Sequence, residues 1–268
     1  MTLLHNDTID TLLNRRTIRS WTDEALSEDE LETLETVAQR AATSQYLNGW
    51  SALRITDPAV AAELARIGNQ PYIAQAPALY IFIIDAYRNL RIARDADVPE
   101  ADMTFDADYI FTQSQNDAVL ALHAMETAAE SLGLGTVILG SILNDVPAVI
   151  SLLGLPEKTF PVLGLAVGHP AQTPALKPRM ARELQIFENV YPAASEGASG
   201  EGAASAPSMH EALAGFDAEV AQYYDLRFPD QPVKAFTEQI AATSTDTGRL
   251  AKAFGEPARA QGFTGRGL

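Results

Sequence analysis

Cysteine is absent from this chain of 268 residues. That excludes disulfides, thiolate nucleophiles, cysteine-based zinc sites and iron–sulfur ligation. A redox activity here would have to come from a cofactor. Basic residues are in short supply, 19 Lys and Arg against 35 Asp and Glu, for a net charge of -16. Such a chain lacks the basic face that general nucleic-acid binding needs. Long hydrophobic runs are missing too. The most apolar stretch, Ala76 to Ile84, is too short to span a bilayer. Met1 to Asp10 has no basic region followed by an apolar one, so no secretory signal is expected. The expectation is a soluble cytoplasmic protein, with neither nucleic acid nor membrane as partner.

Hydrophobic residues make up 47% of the chain, enough for a substantial core. Residues 7–15 read as a short helix. Ser27 with Glu30 forms a capping box before the apolar stripe Leu31, Leu34, Val37, Ala38 and Ala41. Thr43 to Trp50 reads as a polar loop and Leu53 to Thr56 as a short strand. Asp57-Pro58 opens a helix to about Ile67. Ala78 to Asp85, apolar and β-branched, reads as a strand covered on both faces. Arg88 to Asp106 is polar and reads as irregular. A long helix runs from about Asp108 to Leu132. Its middle, Val119 to Met125, is apolar on nearly every side and reads as the central buried helix. Strands at Thr136 to Leu139 and Pro161 to Gly168 flank a helix from Pro147 to Leu153. Ala193 to Ser208 is rich in Ala, Ser, Gly and Glu and reads as a flexible loop. Ser208 with Glu211 is a second capping box. Alternating strands and helices point to a layered α/β or α+β domain.

Four polar constellations could carry chemistry. Arg15, Arg16, Thr17 and Arg19 form a basic knot on an acidic chain, suited to one anion, most simply a phosphate. Thr43, Ser44 and Gln45 make a hydroxyl-rich loop. Leu139, Gly140 and Ser141 form a turn after a buried strand, where a glycine lets a ligand approach the backbone. Lys177 and Arg179 flank a proline. Each also has a plain reading as turn or surface. His123 and Glu126 have an i, i+3 spacing found in some carboxylate-bridged metal sites, but no second such pair occurs. A buried, hydrogen-bonded histidine is expected there, and no metal.

The run Arg16-Thr17-Ile18-Arg19-Ser20-Trp21-Thr22-Asp23-Glu24 resembles the N-terminal signature of the nitroreductase superfamily. Arg54-Ile55-Thr56-Asp57, Gln70 and Ala74-Gln75-Ala76 resemble its next segments. Ala129 to Gly135, Leu153-Gly154-Leu155-Pro156, Gly164 to Pro170 and Leu176-Lys177-Pro178-Arg179 complete the resemblance in order and spacing. The branch it is most similar to is that of oxygen-insensitive NADPH nitroreductases and NADPH–FMN oxidoreductases. The coverage is good from about residue 8 to 190 and weak from 209 onward.

The resemblance implies an α+β nitroreductase-type fold, a mixed central sheet flanked by helices, working as a homodimer with FMN in a cleft at the interface. It implies an FMN-binding core over residues 1–190, a loop or linker over 191–208 and a C-terminal helical excursion over 209–268. Arg15, Arg16, Thr17 and Arg19 would meet the flavin phosphate, ribityl chain and ring edge. Thr43, Ser44 and Gln70 would add hydrogen bonds, partly from the other subunit. Leu139, Gly140 and Ser141 would pass beside the ring near N5. Lys177 and Arg179 would meet the ribityl and phosphate end or the N1–O2 edge. The implied activity is FMN-dependent NAD(P)H oxidation with ping-pong hydride transfer through flavin N5. Acceptors would be small molecules such as nitroaromatics, quinones or flavins. The alternatives are a flavin reductase supplying reduced FMN to a partner and a non-catalytic flavin-binding storage or sensor protein.

Several positions depart from the pattern. Arg15 stands where the branch usually has His, Gly140-Ser141 where it has Gly-Gly, and Leu143 where it often has Arg. The region matching the NADPH 2′-phosphate grip reads Asp225-Leu226-Arg227-Phe228-Pro229-Asp230, in which Arg227 alone matches. Modest selectivity for NADPH, with NADH also used, is therefore expected.

Overall fold

The computed structural model describes residues 2–191, 208–227, 229–248, 252 and 254–264. The loop expected over Ala193 to Ser208 lies almost wholly outside the described residues. Four strands, β1 (Trp50–Arg54), β2 (Ala78–Asp85), β3 (Gly135–Leu139) and β4 (Thr159–Gly168), form one sheet in the order β1-β2-β4-β3. All three pairings are antiparallel. Among the described residues, the parallel component of the mixed sheet is a bridge from Thr17 to Thr136, which lays the N-terminal segment along β3.

The architecture is α+β, as expected, and β2 organises it. Seven of its eight residues are buried, and strand alternation sends them to two different cores. Tyr80, Phe82 and Ile84 face one core with Leu34, Leu122 and Met125. Leu79, Ile81 and Ile83 face the other with Leu64, Ile73 and Val149. Each such side chain contributes about 1.5–3 kcal/mol relative to exposure, so both faces of the strand must be covered. Pro161 sits inside the neighbouring central strand, where a proline would leave a ladder bond unmade. It is accommodated because the β2–β4 register shifts between Phe82 and Ile83, opposite that proline.

The covering helices are α2 (Glu28–Ala38) and α5 (Asp108–Ser131) on one face, with α3 (Pro58–Gly68) and α6 (Val146–Leu153) on the other. Their ends follow local chemistry. The Ser27–Glu30 capping box is present in both directions. Asp57 caps α3 through the N–H of Ala59, with Pro58 in the first turn. Gly154 closes α6 in the left-handed region.

Three expectations are corrected. Residues 88–106 are not irregular throughout. They begin with helix α4 (Tyr87–Asp95), in which only Leu90 is buried. The polar helix is held by Arg88, which donates to the Trp50 carbonyl at 3.1 Å and to Ser51 Oγ at 3.2 Å. The first strand begins at Trp50 rather than Leu53, because the Trp50 ring stacks on Phe82 at 5.8 Å. The middle of α5 is not enclosed. Ala121, Leu122 and Met125 are buried, but Val119 is 38% and Leu120 47% exposed.

By contact density the chain divides into two units, Met1–Thr173 with Gly248–Leu268, and Pro174–Thr247. The short α1 (Asp7–Leu13) belongs to the first. α7 (Met209–Val220) and α8 (Phe236–Ser244) form the second, joined by Asp217, whose carboxylate accepts the Thr237 N–H at 2.9 Å. The Ser208–Glu211 capping box starts α7. α9 (Gly255–Ala260) stands with the first unit, because Phe263 is buried in its core and Lys158 N–H donates to the Gln261 carbonyl at 2.7 Å. Among the described residues no helix is long and apolar enough to cross a membrane.

Candidate functional site

The basic knot is built on an extended segment that follows α1. Ile18 is buried, and its N–H donates to the Thr136 carbonyl at 2.8 Å. Gly135 makes this possible, since a Cβ there would come within 2.8 Å of the Ile18 side chain. Trp21 adds a bond from Nε1 to the Gly135 carbonyl at 3.0 Å. With Ile18 turned inward, alternation turns Thr17 and Arg19 to the opposite side. A cavity of about 270 Å³ adjoins the segment, lined by Arg15, Arg16, Ile18, Glu130, Gly135 and Gln172 among others.

Arg15 does not stand alone. Its Nε and Nη2 donate to one oxygen of Glu126, at 2.8 and 2.5 Å, and its Nη1 donates to Thr17 Oγ1 at 3.2 Å. Glu126 is only 2% exposed, and its other oxygen meets His123 Nδ1 at 3.0 Å. Glu130 lies 3.9 Å from Arg15 Nε and accepts from Thr136 Oγ1 at 2.9 Å. Burial pushes the Glu130 carboxyl above its usual range, and the neighbouring Glu126 adds to the shift. His123 is hydrogen-bonded as expected but not buried. Its side chain is 56% exposed, on the same open face of α5 as Val119 and Leu120.

A second group gathers at the far end of β3. Gln70 Oε1 accepts from Ser141 Oγ at 2.7 Å and from the Tyr72 hydroxyl at 2.8 Å. A Cβ on Gly140 would meet nothing nearer than 4.0 Å, so the backbone there is open to a ligand. Leu139 is buried just before it. Thr136 and Gly140 are four strand residues apart, about 13 Å. β3 thus carries the basic segment at its start and the Gln70–Ser141 pair at its end.

Thr43 and Ser44 fall elsewhere. The Ser44 and Gly49 N–H groups donate to the buried carboxylate of Asp117, at 2.8 and 3.1 Å, which ties their loop to the first half of α5. Arg15 is tied to the second half. From Asp117 to Glu126 is nine residues, about 14 Å of helix. One chain therefore does not bring Thr43 and Ser44 to Arg15. Lys177 and Arg179 belong to the second unit, exposed and outside regular structure, with Arg179 Nη1 donating to the Lys177 carbonyl at 2.9 Å. Arg227 is forked onto Asp225. Leu143 packs against both cores.

Sequence reasoning missed the buried Asp117 and the half-buried Glu130 on α5, and it weighed Glu126 with His123 as a metal spacing rather than as the partner of Arg15. The available signal was a carboxylate at core spacing on a largely apolar helix. A cavity of about 480 Å³ between α2 and β1 contains none of the predicted residues. Its arginines are engaged, Arg54 with Glu35 at 3.3 Å and Arg88 with Asp85 at 3.5 Å.

Comparison with known proteins identifies the family. Residues 12–169 match the model of the nitroreductase family, and residues 177–266 match that of the nitroreductase family C-terminal domain. An FMN reductase (NADPH) of Bacillus subtilis is 33% identical over 236 residues, 88% of this chain and 90% of its own length. An oxygen-insensitive NADPH nitroreductase of Salmonella typhimurium is 33% identical over 237 residues, with the same two shares. The solved structure of a B. subtilis nitroreductase superposes with a TM-score of 0.81 at 30% identity, covering 95% of this chain and 98% of its own. On its two family matches and its full-length relatives, this chain belongs to the nitroreductase family.

Proposed function

We propose that this chain is an FMN-dependent NAD(P)H oxidoreductase that reduces small acceptors such as nitroaromatics, quinones or free flavins. The observation that carries the reading is the division of labour along β3. A guanidinium-rich segment with a hydroxyl lies at its start, and an open glycine beside the Gln70–Ser141 pair lies at its end. That donor set fits a ligand with a phosphate at one end and hydrogen-bonding edges at the other. Bound FMN would supply the chemistry, taking hydride from the nicotinamide and passing two electrons to the acceptor in ping-pong order.

The chain's own residues bind and orient. Arg16, Thr17 and Arg19 hold the phosphate end. Gly140 lets the backbone approach the ring, and Gln70 and Ser141 offer hydrogen bonds to its edge. Two copies complete the site. Val119 and Leu120 leave an apolar strip on α5, and an antiparallel α5–α5 crossing centred near Leu122 would set one copy's Asp117 opposite the other's Glu126. Such a crossing brings Thr43 and Ser44 of one copy to the basic segment of the other.

The test is spectroscopic. The purified protein should carry a flavin spectrum that bleaches anaerobically with NADPH or NADH and returns on adding a nitro compound, quinone or free flavin. A flavin spectrum that neither nucleotide bleaches would favour the storage reading and refute this one.

A further inference from the structure

We propose that Glu126 is a positioning residue that withdraws Arg15 from the anion site, leaving a phosphate there to the rest of the basic segment, and that with Glu130 it weakens the hold on that phosphate. The inference rests on the FMN reading above, but its core is a statement about charge. Three of the five N–H groups of Arg15 are committed, two to one Glu126 oxygen and one to Thr17. Glu126 is buried, so Arg15 cannot turn toward a ligand without stranding a carboxylate in the interior.

The arrangement also closes on itself. Arg15 bonds Thr17, Thr17 is bridged to Thr136, and Thr136 bonds Glu130, which lies 3.9 Å from Arg15. The ring links the basic segment to α5, while Ile18 and Trp21 hold that segment on β3 independently of it. The ring places a second carboxylate, Glu130, in the wall of the cavity that Arg15 and Arg16 line. An anion entering that cavity meets Arg15 already neutralised and Glu130 unopposed by any further cation in the ring. Arg15 is thus withheld from the phosphate, and the two acids set how tightly the phosphate is held.

The experiment titrates apoprotein with FMN and with riboflavin, which lacks the phosphate. In Glu126→Gln the amide oxygen can keep both Arg15 bonds, and the amide nitrogen can face His123 Nδ1, so geometry survives while one negative charge is lost. FMN should then bind about tenfold tighter, the effect of one unit charge a few ångströms beyond contact at intermediate dielectric, with riboflavin changed by no more than about twofold. Damage to structure would weaken binding, not tighten it. The apolar double variant R15M/E126L removes a pair that is neutral as seen from the anion, and replacements of this kind are often tolerated. Its FMN affinity should stay within about threefold of wild type.

Unchanged or weaker FMN binding by E126Q would overturn the inference. So would a tenfold or greater loss confined to FMN in the double variant, which would make Arg15 a phosphate ligand. If the double variant does not fold, E126Q decides alone. Inorganic phosphate gives an arm independent of flavin, in which E126Q should reach a given thermal upshift at about a tenth of the phosphate that wild type needs. Failure of both flavins to bind wild type, with the phosphate arm intact, would refute the FMN reading and spare this one.

Discussion

The Arg227 guanidinium is forked onto the carboxylate of Asp225, with Nε to Oδ1 at 3.0 Å and Nη2 to Oδ2 at 2.7 Å, and the Arg227 backbone N–H donates to the same Oδ1 at 2.9 Å. The residue proposed to meet the NADPH 2′-phosphate is thus held by a carboxylate two positions away. A phosphate reaching it must compete with that fork. Asp225→Asn should therefore raise the ratio of kcat/KM for NADPH over NADH. Exposed pairs contribute up to about 1 kcal/mol, so the increase should be about fivefold at most. Arg227→Ala should raise KM for NADPH more than for NADH with kcat little changed. Steady-state kinetics with both nucleotides checks this, and an unaltered ratio in both variants would assign phosphate recognition to other residues.

Arg19 tests the phosphate clamp itself. Losing a charge-assisted contact costs about 1.5–3 kcal/mol, one to two decades of affinity. Arg19→Ala should therefore bind FMN about 10–100-fold more weakly while riboflavin binding holds. Flavin-fluorescence titration reads both. Equal losses for the two ligands would mean that Arg19 supports the fold rather than the phosphate.

What could be read from the chain was what is written within a few residues. The Ser27–Glu30 and Ser208–Glu211 boxes, the Asp57–Pro58 start and the β2 run each declare themselves in two to eight positions. The α4 helix did not, because its apolar face is reduced to Leu90 and its anchor, Arg88, acts on Trp50 and Ser51 far back in the chain. The basic segment was visible as residues but not as electrostatics. Arg15 and Glu126 are 111 positions apart, and no local pattern connects them. The Thr43–Ser44 loop was recognised by composition, yet its distance along α5 from Arg15 depends on Asp117, which looked like one more polar position in a long helix.

Gly135 couples the fold to the site. A methyl group there would meet Ile18 at 2.8 Å, and Ile18 holds the basic segment on β3. Gly135→Ala should cost about 1–3 kcal/mol through overpacking and weaken FMN binding at the same time. Gly215 supplies the contrast. It lies in α7, where an added methyl group would have no neighbour within 4 Å. Gly215→Ala should stabilise by up to about 1 kcal/mol and leave flavin affinity as it was. Thermal denaturation alongside FMN titration separates the two. A Gly135→Ala protein with wild-type stability and affinity would contradict the packing argument.

The Ser27–Glu30 box gives a pH dependence with a definite sign. The Glu30 carboxyl is held below its usual 4.5, first by the Ser27 hydroxyl and then by the Ser27 backbone N–H. Its folded pKa is lower than its unfolded one. The contribution to stability is therefore present above about pH 4.5 and is lost as pH falls through the folded value. Ser27→Ala should cost about 1 kcal/mol at pH 7. The gap between variant and wild type should narrow as pH falls through the folded value, where protonation of Glu30 weakens the box. Urea denaturation at several pH values measures it. A gap that stays constant across that range would show that the Glu30 charge has no part in the cap.

The proposed dimer turns on α5. Leu120 is 47% exposed beside Val119 in a helix whose other face is core, an arrangement that covers well only against another apolar surface. Asp117 and Glu126 bracket that strip, and the loop and the basic segment that they anchor are separated along one helix. If a second copy covers the strip, Leu120→Arg places a charge at the centre of the interface. Substitution at such a centre costs about 2 kcal/mol or more, a dimer at least about thirtyfold weaker. The monomer so produced should keep its core, because Leu122 and Met125 point the other way, but it should lose FMN because it lacks the partner's Thr43 and Ser44. Sedimentation with simultaneous detection of protein and flavin absorbance reads both consequences. A wild-type monomer at micromolar concentration that still carries FMN would refute both the dimer and the sharing of the site. A Leu120→Arg monomer that keeps its flavin would refute the sharing alone.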